Sequence, residues 1–185
     1  MIIPAYNEEE SILNTVMSIV EHRKKVDFDL DYVVINDGSV DRTKEILDSH
    51  HLNAIHLVMN LGIGGAVQTG YKYALENNYD VAVQFDGDGQ HDIESLDALL
   101  EPIRRQQADL VIGSRFIGDK ASEFQTTFMR RFGITIISAF IKLTTGTRIL
   151  DTTSGYRLAN RDIIRQFAAR YPIKYPEPES IVHIL

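Results

Sequence analysis

Tyr79-Asp80-Val81-Ala82-Val83-Gln84-Phe85-Asp86-Gly87-Asp88-Gly89-Gln90-His91 joins an apolar run to two carboxylates one residue apart. Residues 79–85 are rich in β-branched and aromatic side chains and read as a buried strand, which places Asp86 and Asp88 at its C-terminal mouth. In open α/β sheets ligands bind at that edge. Oxygen donors suit Mg²⁺ or Mn²⁺, ions that keep positions open for water and substrate phosphates. An isolated Asp-Gly-Asp-Gly is more often a plain turn between strand and helix, so its meaning depends on what the other strands deliver. An EF-hand is excluded, because Gln90-His91-Asp92 runs straight into Ile93-Glu94-Ser95-Leu96 without the calcium-loop spacing.

Three further strands deliver polar residues to the same edge. The chain opens Met1-Ile2-Ile3-Pro4-Ala5-Tyr6-Asn7-Glu8-Glu9-Glu10, a short apolar strand stopped by a proline, with acidic residues expected to begin a helix whose positive dipole end they complement. Tyr32-Val33-Val34-Ile35-Asn36 is a second strand, ending in Asp37-Gly38-Ser39-Val40-Asp41-Arg42-Thr43, where Ser39 or Asp41 can cap the next helix. Ala54-Ile55-His56-Leu57-Val58 is a third, ending in Asn60-Leu61-Gly62-Ile63-Gly64-Gly65-Ala66, whose glycines allow backbone to approach a ligand closely.

Helical spacing marks Glu8 to Lys25, Asp41 to His50, Ile63 to Asn78 and Ile93 to Gln107, and Asp109-Leu110-Val111-Ile112-Gly113-Ser114 reads as a fifth strand. This alternation predicts an α/β fold, a mostly parallel central sheet flanked by helices on both faces. The 185 residues suit one domain, 1–185, and 44% hydrophobic content is ample for a packed core. Without cysteine there is neither a disulfide nor a thiolate metal site, as suits a reducing cytoplasm. A net charge of -7 argues against a nucleic-acid binder, which usually carries a basic face. No signal peptide is visible, because Met1 leads directly into a strand and Pro4, and a cytoplasmic location is expected.

Taken in order, Pro4-Ala5-Tyr6-Asn7-Glu8, Asn36-Asp37-Gly38-Ser39, Asn60-Leu61-Gly62, Asp86 to His91, Gly113-Ser114-Arg115 and Asp151-Thr152-Thr153-Ser154-Gly155-Tyr156-Arg157 resemble the nucleotide-sugar glycosyltransferases of family 2, which have the GT-A (Rossmann-like) fold. Asp86 to His91 and Asp151 to Arg157 look most like the branch of dolichol-phosphate mannose synthase and bacterial polyprenyl-phosphate sugar transferases. Family members typically continue beyond the point equivalent to Leu185, so a C-terminal continuation is expected.

The resemblance implies inverting transfer of a sugar from a nucleoside diphosphate sugar, of UDP or GDP type, to an acceptor such as a polyprenyl phosphate or a cell-envelope glycan. A metal bridging the leaving diphosphate neutralises it without proton transfer. Asp88 is the best ligand, with Gln90 assisting and Asp86 reaching the ribose or the metal. Pro4, Ala5, Tyr6, Glu8, Asp37 and Gly62 resemble the nucleotide pocket, where Tyr6 can stack on the base and Asp37 can accept an N–H from its edge. Taken without the other motifs, Asp37 would be only a helix-capping neighbour.

An inverting displacement also needs a base, unless the acceptor is a phosphate that is already ionised. Asp151, Glu177 and Glu179 are the candidates, the last two in Tyr175-Pro176-Glu177-Pro178-Glu179, where this chain departs from the mannose synthase pattern. Arg115 for the donor, and Arg131 and Arg157 for the acceptor, are candidate phosphate partners through bidentate hydrogen bonding.

In the stretch Phe124 to Thr147, which includes Met129 to Leu143, the longest uncharged run is too short to span a bilayer, which takes about 20 residues. With Arg130, Arg131 and Lys142 at its ends it suits peripheral contact with the inner face of an anionic membrane. A domain-packing or homodimer helix explains it equally well. Two other functions compete. A sugar nucleotidyltransferase would want a basic glycine-rich loop after the first strand, where this chain has the acidic Asn7-Glu8-Glu9. A catalytically incomplete domain that only binds nucleotide sugar would show metal-dependent binding without transfer.

Overall fold

The computed structural model describes residues 1–87, 92–113, 155–172, 176, 179 and 180. Its centre is a six-stranded sheet in the order β3-β2-β1-β4-β6-β5, built from β1 (Ile2–Ala5), β2 (Val33–Asn36), β3 (Ala54–His56), β4 (Val81–Gln84), β5 (Leu110–Ile112) and β6 (Arg157–Asn160). The first four run parallel, with Pro4 beside Ile35 and Ile2 beside Gln84. β6 is antiparallel to both β4 and β5, pairing Arg157 with Gln84 on one side and with Ile112 on the other. The sheet is therefore mostly parallel, as the alternation of elements predicts, but carries one reversed strand that periodicity does not reveal.

Side-chain alternation along the strands splits the core into two layers. Ile3, Val34, Val83, Phe85 and Leu158 face α1 (Ile12–Arg23), α2 (Thr43–Ser49) and α4 (Leu96–Arg104). Ile2, Val33, Ile35, Ala82 and Ala159 face α3 (Gly62–Glu76) and α5 (Arg161–Ala169). α1 buries Ile12, Val16 and Ile19, three and four residues apart, as an amphipathic helix on a sheet must. Each fully buried aliphatic side chain contributes roughly 1.5–3 kcal/mol. α3 can lie close to β1 because it has Gly70 at the contact, where a Cβ would come within 2.9 Å of Ile2 Cγ1.

Helix starts differ from the expectation at one place that matters. α1 begins at Ile12, and its first turn holds no acidic residue, because Glu8 and Glu9 are spent on the neighbouring loop. The Glu8 N–H donates to Thr43 Oγ1 at 2.8 Å and the Glu9 N–H to Asp41 Oδ2 at 3.1 Å. Asn7 turns the chain with φ at 57°, a left-handed conformation that asparagine tolerates. Asp41 does act at the start of α2, accepting from the Thr43 N–H at 3.0 Å, whereas Ser39 Oγ accepts from the Asn7 N–H at 2.9 Å. The loops after β1 and β2 are thereby bound into one structure.

Candidate active site

From β1 the chain steps outward to β2 and β3, then returns through α3 to place β4 on the other side of β1. Connections leave β1 and β4 in opposite directions, and in such sheets the crevice above the reversal is where ligands bind. A cleft of about 490 Å³ opens there, within the range of about 300–1,000 Å³ usual for small-molecule sites. Pro4, Ala5 and Tyr6 line it from the end of β1, Glu8 from the next turn, Asp37 from β2, Asn60, Gly62, Ile63 and Ala66 from the start of α3, and Asp86 and Gly87 from β4. Seven of these residues, Pro4, Ala5, Tyr6, Glu8, Asp37, Gly62 and Asp86, are binding candidates from the sequence, and the fold brings them together. Asn60, Ile63, Ala66 and Gly87 are not among those candidates, although Asn60 and Gly87 stand inside the quoted motifs.

Asp37 is 3% exposed, and its Oδ1 accepts the Leu61 N–H at 2.7 Å. Its own N–H donates to the Ala5 carbonyl at 2.9 Å. The other carboxylate oxygen accepts no hydrogen bond from the described residues, which leaves it available to a group in the cleft. Gly38, at φ 67°, lets this turn press on the Met59-Asn60 backbone, where a Cβ would meet Asn60 N at 2.8 Å. Tyr6 is 46% exposed at the rim, a ring open for stacking.

Asp86 sits in a tight cradle. The register that pairs Gln84 with Arg157 sets Gly155 opposite Asp86, and a Cβ on Gly155 would run into the carboxylate, 2.7 Å from Oδ1. Gly87 lies against the Pro4 carbonyl, and its own carbonyl accepts Thr15 Oγ1–H from α1 at 3.0 Å. Residues of β1, β6 and α1 thus set where the Asp86-Gly87 turn can lie. Gly155 belongs to the Ser154-Gly155-Tyr156-Arg157 motif, but nothing in the sequence says that it backs a carboxylate some seventy residues earlier.

The charge of the cleft is one-sided. Glu8, Asp37 and Asp86 line it, and no lysine or arginine does so among the described residues. A phosphate-bearing ligand would be repelled unless a cation entered with it. Among the described residues no three His, Cys, Asp or Glu side chains converge as a metal site. Asp88 and Gln90, the remaining metal candidates, lie outside the described residues, as do Arg115, Arg131, Asp151 and Glu177.

Two candidates are placed elsewhere. Glu179 is exposed and does not line the cleft. Arg157, expected from the sequence to meet an acceptor phosphate, is 0% exposed, because β6 is flanked on both sides within the sheet. Its guanidinium donates to Ser180 Oγ at 2.5 Å. Arg157 is thus an interior residue whose bond to Ser180 ties that part of the chain to the sheet.

Burial raises the Tyr156 phenol well above its ordinary range, and its ring meets Phe85 edge-on, with centroids 5.3 Å apart, beneath the site. No helix among the described residues is long and apolar enough to cross a membrane.

Comparison with known proteins agrees with this geometry. Residues 1–167 match the family model described as Glycosyl transferase family 2. The chain is 36% identical over 170 residues to an undecaprenyl-phosphate mannosyltransferase of Micrococcus luteus, covering 89% of this chain and 67% of that one. It is 31% identical over 183 residues to a UDP-N-acetylglucosamine–dolichyl-phosphate N-acetylglucosaminyltransferase of Methanococcus voltae, covering 89% and 70%. Among solved structures, glucosyl-3-phosphoglycerate synthase from Mycobacterium tuberculosis superposes with a TM-score of 0.67 at 20% identity in its phosphoglyceric acid complex, covering 98% of this chain and 62% of that one. The same enzyme with Mn²⁺ and UDP-glucose gives 0.59 at 21%, covering 87% and 55%. The chain thus spans about two thirds of its relatives and somewhat less of that solved structure. The shared fold is GT-A.

Proposed function

Because this chain belongs to glycosyl transferase family 2, and stands beside polyprenyl-phosphate sugar transferases within it, we propose that it moves a sugar from a nucleoside diphosphate sugar to a polyprenyl phosphate, with inversion. The observation that carries this reading is the acidic cleft at the β1–β4 reversal, lined by Asp37 and Asp86 from the strands on either side of β1, with no basic side chain among the described lining residues.

Asp37 and Tyr6 suit the base. The Asp37 carboxylate is held by the Leu61 N–H, so the oxygen left over can accept an imide or amide N–H from a uracil or guanine edge. Pro4 and Ala5, at the end of β1, form an apolar floor for the ribose side. Asp86 lies on the diphosphate side, with Asp88 and Gln90 following it in the chain.

The donor set is all oxygen, which fits Mg²⁺ or Mn²⁺ and not a softer metal. The solved relative that carries Mn²⁺ with UDP-glucose supports this by analogy of fold. When bound, such an ion neutralises the charge that gathers on the leaving diphosphate. Asp86, braced by Gly155 and Gly87, would hold it with Asp88 and Gln90. The acceptor side rests on Asp151, Glu177 and Glu179 as candidate bases and on Arg131 as a candidate phosphate partner. An acceptor that is already an ionised phosphate needs no base to attack. The work would take place at the inner face of the membrane, with the protein attached peripherally.

Two variants test the reading in calorimetry with UDP and GDP, with and without Mn²⁺. Asp88→Asn is expected to abolish the metal-dependent part of binding and leave the metal-free part intact. Asp37→Ala is expected to weaken both parts by about ten-fold, the loss of one hydrogen bond to a charged group, roughly 1.5 kcal/mol. Equal affinity in Asp37→Ala and parent would remove Asp37 from the base pocket.

A further inference from the structure

Behind the base pocket runs a line of side chains that the proposed chemistry does not use. Asn36 ends β2 directly before Asp37 and is 2% exposed. Its Oδ1 accepts the Ser39 N–H at 3.1 Å, and its Nδ2 lies 3.0 Å from His56 Nδ1 on β3. His56 Nε2 in turn lies 3.0 Å from Asp48 Oδ1 on α2. Ser39 continues the line, its Oγ accepting from the Asn7 N–H, and Asn7 Oδ1 accepts from the Val40 N–H at 2.9 Å.

From Asn36 to Asp48, the protons of this line are determined by one backbone group, the Ser39 N–H. A backbone N–H can only donate, so Ser39 fixes the Asn36 amide with its oxygen toward Ser39 and its NH₂ toward His56. His56 Nδ1 must then accept, and Nε2 must carry the hydrogen that Asp48 receives. The ring therefore has to be neutral, in one tautomer. Protonation would set Nδ1–H against the Asn36 NH₂, donor against donor. The amide could relieve that only by flipping, which would turn its NH₂ onto the Ser39 N–H and break the bond that shapes the Asp37-Gly38-Ser39 turn.

We propose that His56 is a positioning residue for the loop that carries Asp37, and that the loop keeps its donor-binding shape only while His56 is neutral. Its effect on donor affinity rests on the function proposed above; its effect on the loop does not. The charged groups around His56 are few. Asp48 faces it from α2, itself paired with Lys44 at 2.5 Å, and Asp37 lies one residue beyond Asn36 on β2. Hydrogen bonds from Lys44 and then His56 hold the Asp48 carboxyl below its usual range, so it stays ionised where histidine titrates. Asn36 opposes the imidazolium by geometry, donor against donor. The outcome is a loop whose order is coupled to a proton.

The test reads the loop and the ligand separately. Nuclear magnetic resonance of the parent should show the Ser39 amide shifting with the same midpoint as the His56 ring. His56→Asn supplies an acceptor at the Nδ1 position that cannot gain a proton, and in it the Ser39 amide should stay still across that range. UDP-glucose and GDP-mannose serve as donor probes, since their diphosphates are diesters and do not titrate near neutrality. The donor that binds should lose about five-fold in affinity between about pH 8 and about pH 5.5 in the parent, the worth of one hydrogen bond, and about none in His56→Asn. A Ser39 amide indifferent to His56, or an equal loss of affinity in parent and variant, would overturn the inference. If neither donor binds at either pH while Ser39 follows His56, the positioning role stands and the donor-binding reading fails. Should His56→Asn fail to fold, the shared midpoint in the parent still decides the matter.

Discussion

Gly155→Ala is a small change that reaches Asp86, proposed above to lie on the diphosphate side of the cleft. The new Cβ would overlap Asp86 Oδ2 and stand 2.7 Å from Oδ1 and 2.8 Å from Cγ, so that even the most distant of the three is roughly 0.7 Å short of an ordinary contact of about 3.5 Å. Something must move, and β6 cannot recede easily because it is bonded to β4 on one side and β5 on the other. The Asp86 carboxylate therefore turns away. Overpacking of this kind costs about 1–3 kcal/mol, which lowers Tm by about 2–4 °C per kcal/mol in a chain of this size. If Asp86 holds the ion as proposed, the larger effect falls on metal binding, since disturbing the surroundings of a metal ligand typically costs about 10- to 100-fold in affinity. Calorimetry of UDP binding with and without Mn²⁺, beside a thermal melt, reads both quantities. A folded variant whose Mn²⁺-dependent affinity stays within about two-fold of the parent would show that the Gly155–Asp86 contact does not set the ligand's position, and the cradle argument would fall.

Replacing Arg130, Arg131 and Lys142 together should reduce co-sedimentation with anionic liposomes at low salt, each charge contributing on the order of 1 kcal/mol, and should leave nucleotide binding alone. A parent indifferent to anionic lipid would count against peripheral attachment through this stretch. At the alkaline end, burial raises the Tyr71 phenol and, together with Asp31 beside it, pushes Tyr79 up to about 12. These folded phenols keep protons that unfolded ones release near pH 10. Their contribution to stability is thus complete below about pH 10 and is lost as pH rises toward 12. Tyrosinate absorbance and circular dichroism should change together there; ionisation of Tyr71, which is fully buried, well before the fold is lost would contradict its burial.

The parallel half of the sheet was legible because its signal is local. Ile2-Ile3, Val33-Val34-Ile35 and Val81-Ala82-Val83 are apolar runs, each ended by turn or acidic residues, and all three are strands with both faces buried. The cleft followed from them, since placing strand ends at one edge also places Pro4, Asp37 and Asp86 there. β6 was not legible. Arg157-Leu158-Ala159-Asn160 begins with an arginine, and a buried guanidinium reads as a surface residue until its partner Ser180 is seen. The start of α1 departs from the sequence pattern for a similar reason: Glu8 and Glu9 look like first-turn acids, but tertiary bonds to Thr43 and Asp41 occupy their backbone. The Asp48–His56–Asn36 line leaves no trace in sequence because its members come from three elements and share no spacing.

The insertion of β6 between β4 and β5 also orders events in time. β1 to β4 are complete once Gln84 has been made, whereas the strand that must lie beside β4 ends at Asn160. A ribosome adding about 5–20 residues per second takes roughly 4–15 s to cover that interval. Throughout it, β4 presents an unpaired row of N–H and C=O groups, the kind of edge that recruits other chains. Closing it is a long-range step, slow by comparison with the parallel pairings already in place. The nascent domain thus passes through a stage with the Asp37 side of its cleft framed and Asp86 still without the wall that Gly155 supplies, so strand closure and completion of the cleft are one event.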